Sequence, residues 1–120
     1  ATGEEAKAMI AELNSDEYYN YNRAEIAKEI ACNILGIEPY TLQLKTKDEK
    51  PVFARWLVWK YCNKDLKMSL YDCGDMFGLD HSTVVHGTKQ LEDDNIKFLS
   101  SWQSSAYREF KTRIEIINKE

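Results

Sequence analysis

The chain has 120 residues, of which 43% are hydrophobic, with five glycines and two prolines. This length and composition predict a globular protein with one ordinary hydrophobic core and exclude a disordered or fibrous chain. No segment approaches the roughly 20 consecutive apolar residues of a membrane-spanning helix. Residues 1–13 are too polar and acidic for a secretory signal, so we expect a soluble, cytoplasmic protein.

Three cysteines without a Cys-x-x-Cys pair are interpreted as reduced packing residues: Cys32, Cys62 and Cys73.

The net charge of −4 opposes binding to nucleic acid if the chain is taken as a whole, because cations that neutralise phosphates provide non-specific affinity. The charge is unevenly distributed, however. Residues 1–44 contain three cationic and eight acidic residues, whereas residues 41–90 contain eight cationic and six acidic residues. An anionic partner would therefore be tolerated best by the middle of the chain.

The first 22 residues are interpreted as a flanking arm that is partly helical. Residues 4–13 predict an amphipathic helix, whereas residues 17–22 have neither a helical nor a strand period. A helix is predicted over residues 23–35, and Gly36 supplies its C-terminal stop. The apolar positions that predict this helix are Ile26, Ala27, Ile30, Ala31 and Ile34.

The middle of the chain predicts a short turn and then a central helix. In the polar connection over residues 37–50, Pro39 and Leu42 suggest one turn of helix. Pro51 suits the first turn of a helix predicted over residues 51–63, which is apolar on nearly all sides and should therefore lie in the core. Arg55 is the exception, and we expect its charged head to lie at an exposed edge or to face a partner.

Residues 69–91 predict two short helices joined by a tight turn. Ser69, with Asp72 three residues later, can cap the first helix, which ends at Gly78. Asp80 can cap the second, which presents small or apolar residues to the core at Val84, Gly87 and Leu91. Two helices joined by a tight turn that contains glycine form a helix-turn-helix.

A long amphipathic helix is predicted beyond residue 95, with a break near residues 100–101. Its apolar positions are Phe98, Leu99, Trp102, Ala106, Phe110, Ile114 and Ile117. The three tryptophans, Trp56, Trp59 and Trp102, fall on apolar faces and are expected in the core. Because no strand period, internal repeat or low-complexity tract occurs, the predicted fold class is all-α.

Residues 69–87, with the sequence SLYDCGDMFGLDHSTVVHG, resemble the signature of the C-terminal DNA-binding domain of the bacterial replication initiators of the DnaA family. The similarity covers about residues 24–98. It implies a compact multi-helix, Trp-repressor-like helix-turn-helix domain over residues 23–120 that binds double-stranded DNA in replication initiation or its regulation. The contacts that it implies are base contacts from Asp80, His81, Ser82 and Thr83, a minor-groove contact from Arg55, and phosphate contacts from Lys45, Lys47 and Lys50.

The second helix of the motif also suits DNA recognition on physical grounds. Its cap and first turn carry short polar side chains, which can touch base edges when the helix enters the major groove end-on. Hydroxyl groups can donate or accept hydrogen bonds, and the Thr83 methyl can contact a thymine methyl. Ser82, His86 and Lys89 share one helix face at spacings of four and three, so they can line the groove wall.

Structural roles compete with these functional ones. Asp80 and Ser82 can simply cap the helix, and His86 can be a packed or hydrogen-bonded structural residue. The lysines at positions 45, 47 and 50 can belong to a solvated loop, since Asp48 and Glu49 lie between them. At the level of function, the alternative is a protein-interaction module that keeps the DnaA-like fold but has lost strong DNA binding, with partners or self-association through the N-terminal arm.

Catalytic, metal and nucleotide sites are not expected. Asp80, His81 and Ser82 are consecutive and cannot adopt the relay geometry of a catalytic triad. His81 and His86 are five residues apart, which places them on different helix faces and disfavours a metal site with Cys73. No Gly-x-x-x-x-Gly-Lys-Ser/Thr loop occurs, so we expect no bound nucleotide and either an excised domain or a stand-alone relative of the initiators.

Overall fold

A computed structural model describes residues 15–119, and over that range the chain is helical without strands, which confirms the predicted all-α class. Two 3-10 turns, Pro39–Gln43 and Ile96–Phe98, and a π turn, Tyr61–Asp65, lie between the α-helices. No helix within the described range is long and apolar enough to cross a lipid bilayer. The α-helices are α1 (Ser15–Leu35), α2 (Glu49–Lys60), α3 (Leu70–Asp75), α4 (His81–Gln90) and α5 (Ser101–Asn118).

Helix α1 begins eight residues earlier than the sequence pattern predicts. It runs without interruption from Ser15 to Leu35 and thus includes residues 17–22, which have no helical period in the sequence. The apolar period fails there because the tyrosines point outwards, and the Arg23 guanidinium lies 5.3 Å from the ring centre of Tyr19, one helical turn away. The predicted helix over residues 4–13 lies outside the described residues, and the division of the chain at residue 22 stays a prediction.

Helix α2 lies at the centre of the molecule, as its apolar composition predicts. Its side chains Phe53, Ala54, Leu57, Val58 and Trp59 are all buried, and the helix packs against α1 on one side and α4 on another. The three cysteines are free thiols in the same core. Burial raises the pKa of the Cys32 and Cys73 thiols to about 11, which is the behaviour of packing residues.

The turn between α3 and α4 depends on two glycines. Gly78 has a φ of +67°, a left-handed conformation that favours glycine. Leu79 folds back over α3, where its backbone N–H donates to the Gly74 carbonyl at 2.9 Å. A Cβ atom at Gly74 would lie 2.3 Å from the carbonyl oxygen of Leu79. The indole Nε1 of Trp59 donates to the Cys73 carbonyl at 2.8 Å and so ties α3 to the central helix.

Helix α5 begins at the break that the sequence predicts. Ser100 and Gln103 form a reciprocal capping box, and Ala106, Phe110 and Ile114 are buried. Two of the predicted core residues are instead at the surface: Phe98 is 77% exposed and Trp102 is 36% exposed. Phe98 belongs to the 3-10 turn before the cap and does not share the buried face of α5, whereas Trp102 makes an edge-to-face contact with Phe53.

Candidate nucleic-acid interface

Helix α4 has one face against the core and one face in solvent. Val84, Gly87, Thr88 and Leu91 are buried on the inner face. The helix approaches α2 most closely at Gly87, where a Cβ atom would lie 2.5 Å from Cδ1 of Trp56 and 3.0 Å from Cε3 of Trp59. The outer face consists of the predicted contact residues, which are all exposed: His81, Ser82, Thr83, His86 and Lys89.

Asp80 caps α4, as one of the two interpretations of this residue requires. Its Oδ1 atom accepts hydrogen bonds from the backbone N–H and from the hydroxyl of Thr83, each at 2.9 Å. These bonds lower the pKa of the Asp80 carboxyl, the backbone N–H of Thr83 having the largest effect. The Thr83 hydroxyl proton is therefore directed at Asp80, while the methyl group and the hydroxyl lone pairs are left for a partner.

The two histidines of α4 each contact an aromatic ring from a neighbouring helix. The imidazole of His86 meets the indole of Trp56 edge-on, with 6.0 Å between ring centres. The ring of His81 lies over that of Tyr71, with 4.5 Å between centres and 33° between planes. Tyr71 was missed by the analysis of the sequence, although an exposed aromatic residue inside the signature was a signal that could have identified it.

Lys45 and Lys47 share a groove with α4. The groove has a volume of about 620 Å³, and its polar wall includes Lys45, Lys47, Thr83 and His86. Its apolar lining comes from Val52, Trp56, Trp59 and Leu79. Within residues 15–119, neither lysine has a carboxylate partner, so both charges face solvent in the free domain.

Lys50 stands apart from the other two lysines of the predicted basic loop. It lies in the first turn of α2 and lines a different groove, together with Ile34, Trp102 and Glu109 of the flanking helices α1 and α5. Lys50 is the second residue of α2, whereas Lys45 and Lys47 precede that helix. The structure thus brings together only part of the predicted set of phosphate-binding lysines.

Arg55 has a different environment from the one expected. The residue is only 5% exposed, so its charged head does not lie at an exposed edge, whereas the other expectation, that it faces a partner, stays a prediction. Arg55 also contributes to the lining of the groove that contains Lys45 and Lys47. Its Nε atom donates to the Leu42 carbonyl at 3.0 Å, and Nη2 donates to the Leu44 carbonyl. These carbonyls end the 3-10 turn Pro39–Gln43, where backbone acceptors lack helical partners, and burial lowers the pKa of the guanidinium.

The 3-10 turn is also attached to the helix-turn-helix. The side-chain amide of Gln43 donates to the Met76 carbonyl at 2.8 Å, in the turn that follows α3. Arg55 and Gln43 therefore hold the segment just before Lys45 between the central helix and the motif. In the part of the chain that the structure describes, no group of three or more His, Cys, Asp or Glu side chains is placed to hold a metal ion.

Comparison with known proteins identifies the domain type. The family described as the bacterial DnaA protein helix-turn-helix matches residues 23–91, which include the end of α1 and all of α2, α3 and α4. The chromosomal replication initiator protein DnaA of Thermodesulfovibrio yellowstonii is 28% identical over 93 residues, which cover 77% of this chain. The same alignment covers 21% of that initiator, and no solved structure matches. The resemblance seen in the sequence is thus confirmed, and the chain belongs to the family of bacterial DnaA helix-turn-helix domains.

Proposed function

We propose that this domain binds double-stranded DNA in a sequence-directed manner, in replication initiation or its regulation, and that it has no catalytic activity of its own. The observation that carries the proposal is the shared groove, in which the unpaired Lys45 and Lys47 face the exposed start of α4. Membership of the DnaA helix-turn-helix family supports the same function. The comparisons give no support to the alternative of an interaction module that has lost DNA binding.

In this proposal, α4 enters the major groove with its N-terminal end first. His81, Ser82 and Thr83 project from the first turn towards base edges, and the Thr83 methyl is available to a thymine. His86 and Lys89, further along the same exposed face, lie along the groove wall and the phosphates. Asp80 contributes by fixing Thr83 and hence the first turn.

Phosphate contacts come from the basic segment that faces α4. Lys45 and Lys47 line the groove beside Thr83 and His86, so they can reach the DNA strand whose bases α4 reads. Lys50 lies further round the molecule and contributes only to a duplex that extends past the start of α2. We assign Arg55 an indirect role: it positions the basic segment through the Leu42 and Leu44 carbonyls rather than entering the minor groove.

The first test is fluorescence anisotropy with a labelled duplex that carries a replication-origin site, and with a scrambled duplex, at low and at physiological salt. We expect preference for the site and an affinity that falls as salt rises, because bound lysines release counterions. Replacing both Lys45 and Lys47 by glutamine should reduce the slope of log affinity against log salt by about 2, at roughly 0.9 per phosphate contact. Lys111→Gln is the matched control, since Lys111 lies on α5 over the Tyr107 ring.

A base-reading variant completes the test. Thr83→Ala should cost about 1–3 kcal/mol at one base position and leave binding to scrambled DNA unchanged. If neither duplex binds even at low salt, the proposed function is wrong. Attention would then move to protein partners and to self-association through the N-terminal arm. Binding to a chromosome also implies action in the cytoplasm of a bacterium, and this localisation is part of the proposal.

A further inference from the structure

We infer that Tyr71 positions the imidazole of His81 and thereby helps to determine which DNA sequence the domain prefers; the inference rests on the function proposed above. Tyr71 belongs to α3, and His81 is the first residue of α4. Their ring centres lie 4.5 Å apart, and the ring planes are tilted by 33°. The contact therefore crosses the turn of the helix-turn-helix and joins its first helix to the tip of its second.

The stack is a surface contact rather than part of the hydrophobic core. Tyr71 is 65% exposed, and His81 is exposed as well. Among the residues that the structure describes, neither side chain has a hydrogen-bond partner or an ion pair. Besides the contact between the two rings, His81 interacts electrostatically with the neighbouring Asp80 carboxyl.

Stacking suits the task of presenting a histidine to DNA. Tyr71 covers one face of the imidazole, whereas both ring nitrogens lie in the ring plane and stay available for hydrogen bonds. A ring that is already oriented loses less conformational freedom when it binds than a freely rotating one. Removing the tyrosine ring should therefore weaken binding about three- to tenfold, the range expected when one side chain is no longer ordered in advance.

The stack can be tested without DNA by nuclear magnetic resonance of the histidine ring protons. In the parent domain, the ring current of Tyr71 should shift the His81 signals upfield. We expect Tyr71→Phe to keep this shift and Tyr71→Ala to abolish it, while the His86 signals stay in place. Tyr40→Ala is the matched control, because Tyr40 is equally exposed but lies on the 3-10 turn Pro39–Gln43. Unchanged His81 signals in Tyr71→Ala would overturn the inference.

The role in specificity is tested by a double-mutant cycle of Tyr71→Ala and His81→Ala, with anisotropy on the preferred and on base-substituted duplexes. Tyr71→Ala should weaken binding and reduce discrimination in the parent background, but have no further effect once His81 is alanine. Tyr71→Phe should bind like the parent. Two results contradict the inference while DNA binding stands: Tyr71→Ala has no effect on binding, or it has the same effect with histidine and with alanine at position 81. A third is a loss of binding in Tyr71→Phe equal to that in Tyr71→Ala, which would indicate that the tyrosine hydroxyl contacts phosphate. A parent domain that binds neither duplex contradicts the proposed function itself.

Discussion

Arg55→Met separates the structural role of Arg55 from a direct contact with DNA. Methionine keeps most of the length and apolar stem of arginine but removes both hydrogen bonds to the 3-10 turn. If Arg55 positions the basic segment, the substitution destabilises the free domain, and the loss of DNA affinity is secondary. If Arg55 enters the minor groove, affinity falls and stability is unchanged.

The size of the effect follows from the two acceptors. A hydrogen bond from a charged donor contributes about 1.5–3 kcal/mol, and an acceptor that stays buried without a partner costs about as much. The bond to the Leu42 carbonyl is buried, whereas Leu44 is 49% exposed and its carbonyl can turn to water. Methionine also removes the desolvation penalty that lowers the pKa of Arg55, so we expect a net loss of about 2–3 kcal/mol.

The measurement is urea unfolding followed by circular dichroism at 222 nm. Arg55→Lys should lie between the parent and Arg55→Met, because an ammonium group keeps the charge but lacks the planar fork that reaches both carbonyls. Lys64→Met removes a charge from an exposed position of the π turn and should change stability by less than about 0.5 kcal/mol. An Arg55→Met domain that unfolds at the same urea concentration as the parent, yet binds DNA weakly, would refute the positioning role.

Three further predictions concern the packing and capping of α4 and the buried thiols. Gly87→Ala should lower stability by about 1–2 kcal/mol despite the better helix propensity of alanine, because its Cβ would meet Trp56 at 2.5 Å; urea unfolding followed by tryptophan fluorescence measures this. In Thr83→Ala, a ¹³C titration should show the Asp80 pKa rising only part of the way to its ordinary value, since the backbone bond remains; a full return would contradict the assigned cause. Ellman's reagent at pH 7 should label no cysteine in the native domain and all three after denaturation: Cys32, Cys62 and Cys73.

The lowered pKa of Asp80 also fixes the pH range in which the cap stabilises α4. A carboxyl whose folded-state pKa lies below its unfolded value contributes stability above the unfolded value, about 4 for aspartate. That contribution is lost as the pH falls through the folded-state pKa. Acid therefore weakens the first turn of α4, and with it the arrangement of Thr83. At neutral and alkaline pH, the Asp80 carboxyl stays ionised and its contribution to stability does not change with pH.

Local signals in the sequence were sufficient to predict most of the helices. Caps at Ser69 and Asp80 predicted the starts of α3 and α4, because each side chain accepts a hydrogen bond from a backbone N–H in the first turn of its helix. The break before Ser101 was predicted, but its effect on the apolar period was not. A cap resets the phase of a helix, so Phe98 could not continue the buried face that starts at Ala106.

The features that the sequence could not predict depend on contacts between distant segments. A lone arginine in an apolar helix suggests exposure, and only the docked turn reveals that carbonyls 11 and 13 residues earlier accept its hydrogen bonds. The pairing of Tyr71 with His81 likewise depends on the angle of the helix-turn-helix, which Gly74 and Gly78 set. Spacing along the chain grouped Lys50 with Lys45 and Lys47, but Lys50 lines a different groove.

An acidic chain and a basic groove are compatible because the two charges act over different distances. The net charge of −4 repels DNA at long range, whereas in the proposed complex Lys45 and Lys47 would act within a few ångströms of the phosphates, well inside the Debye length of about 8 Å at physiological salt. In the proposed complex, salt would weaken the lysine contacts but would also screen the repulsion, so the two effects should partly cancel in the affinity of the parent domain. The difference in salt slope between the parent and the Lys45/Lys47 double variant is therefore the quantity that measures the phosphate contacts, since the acidic surface is common to both.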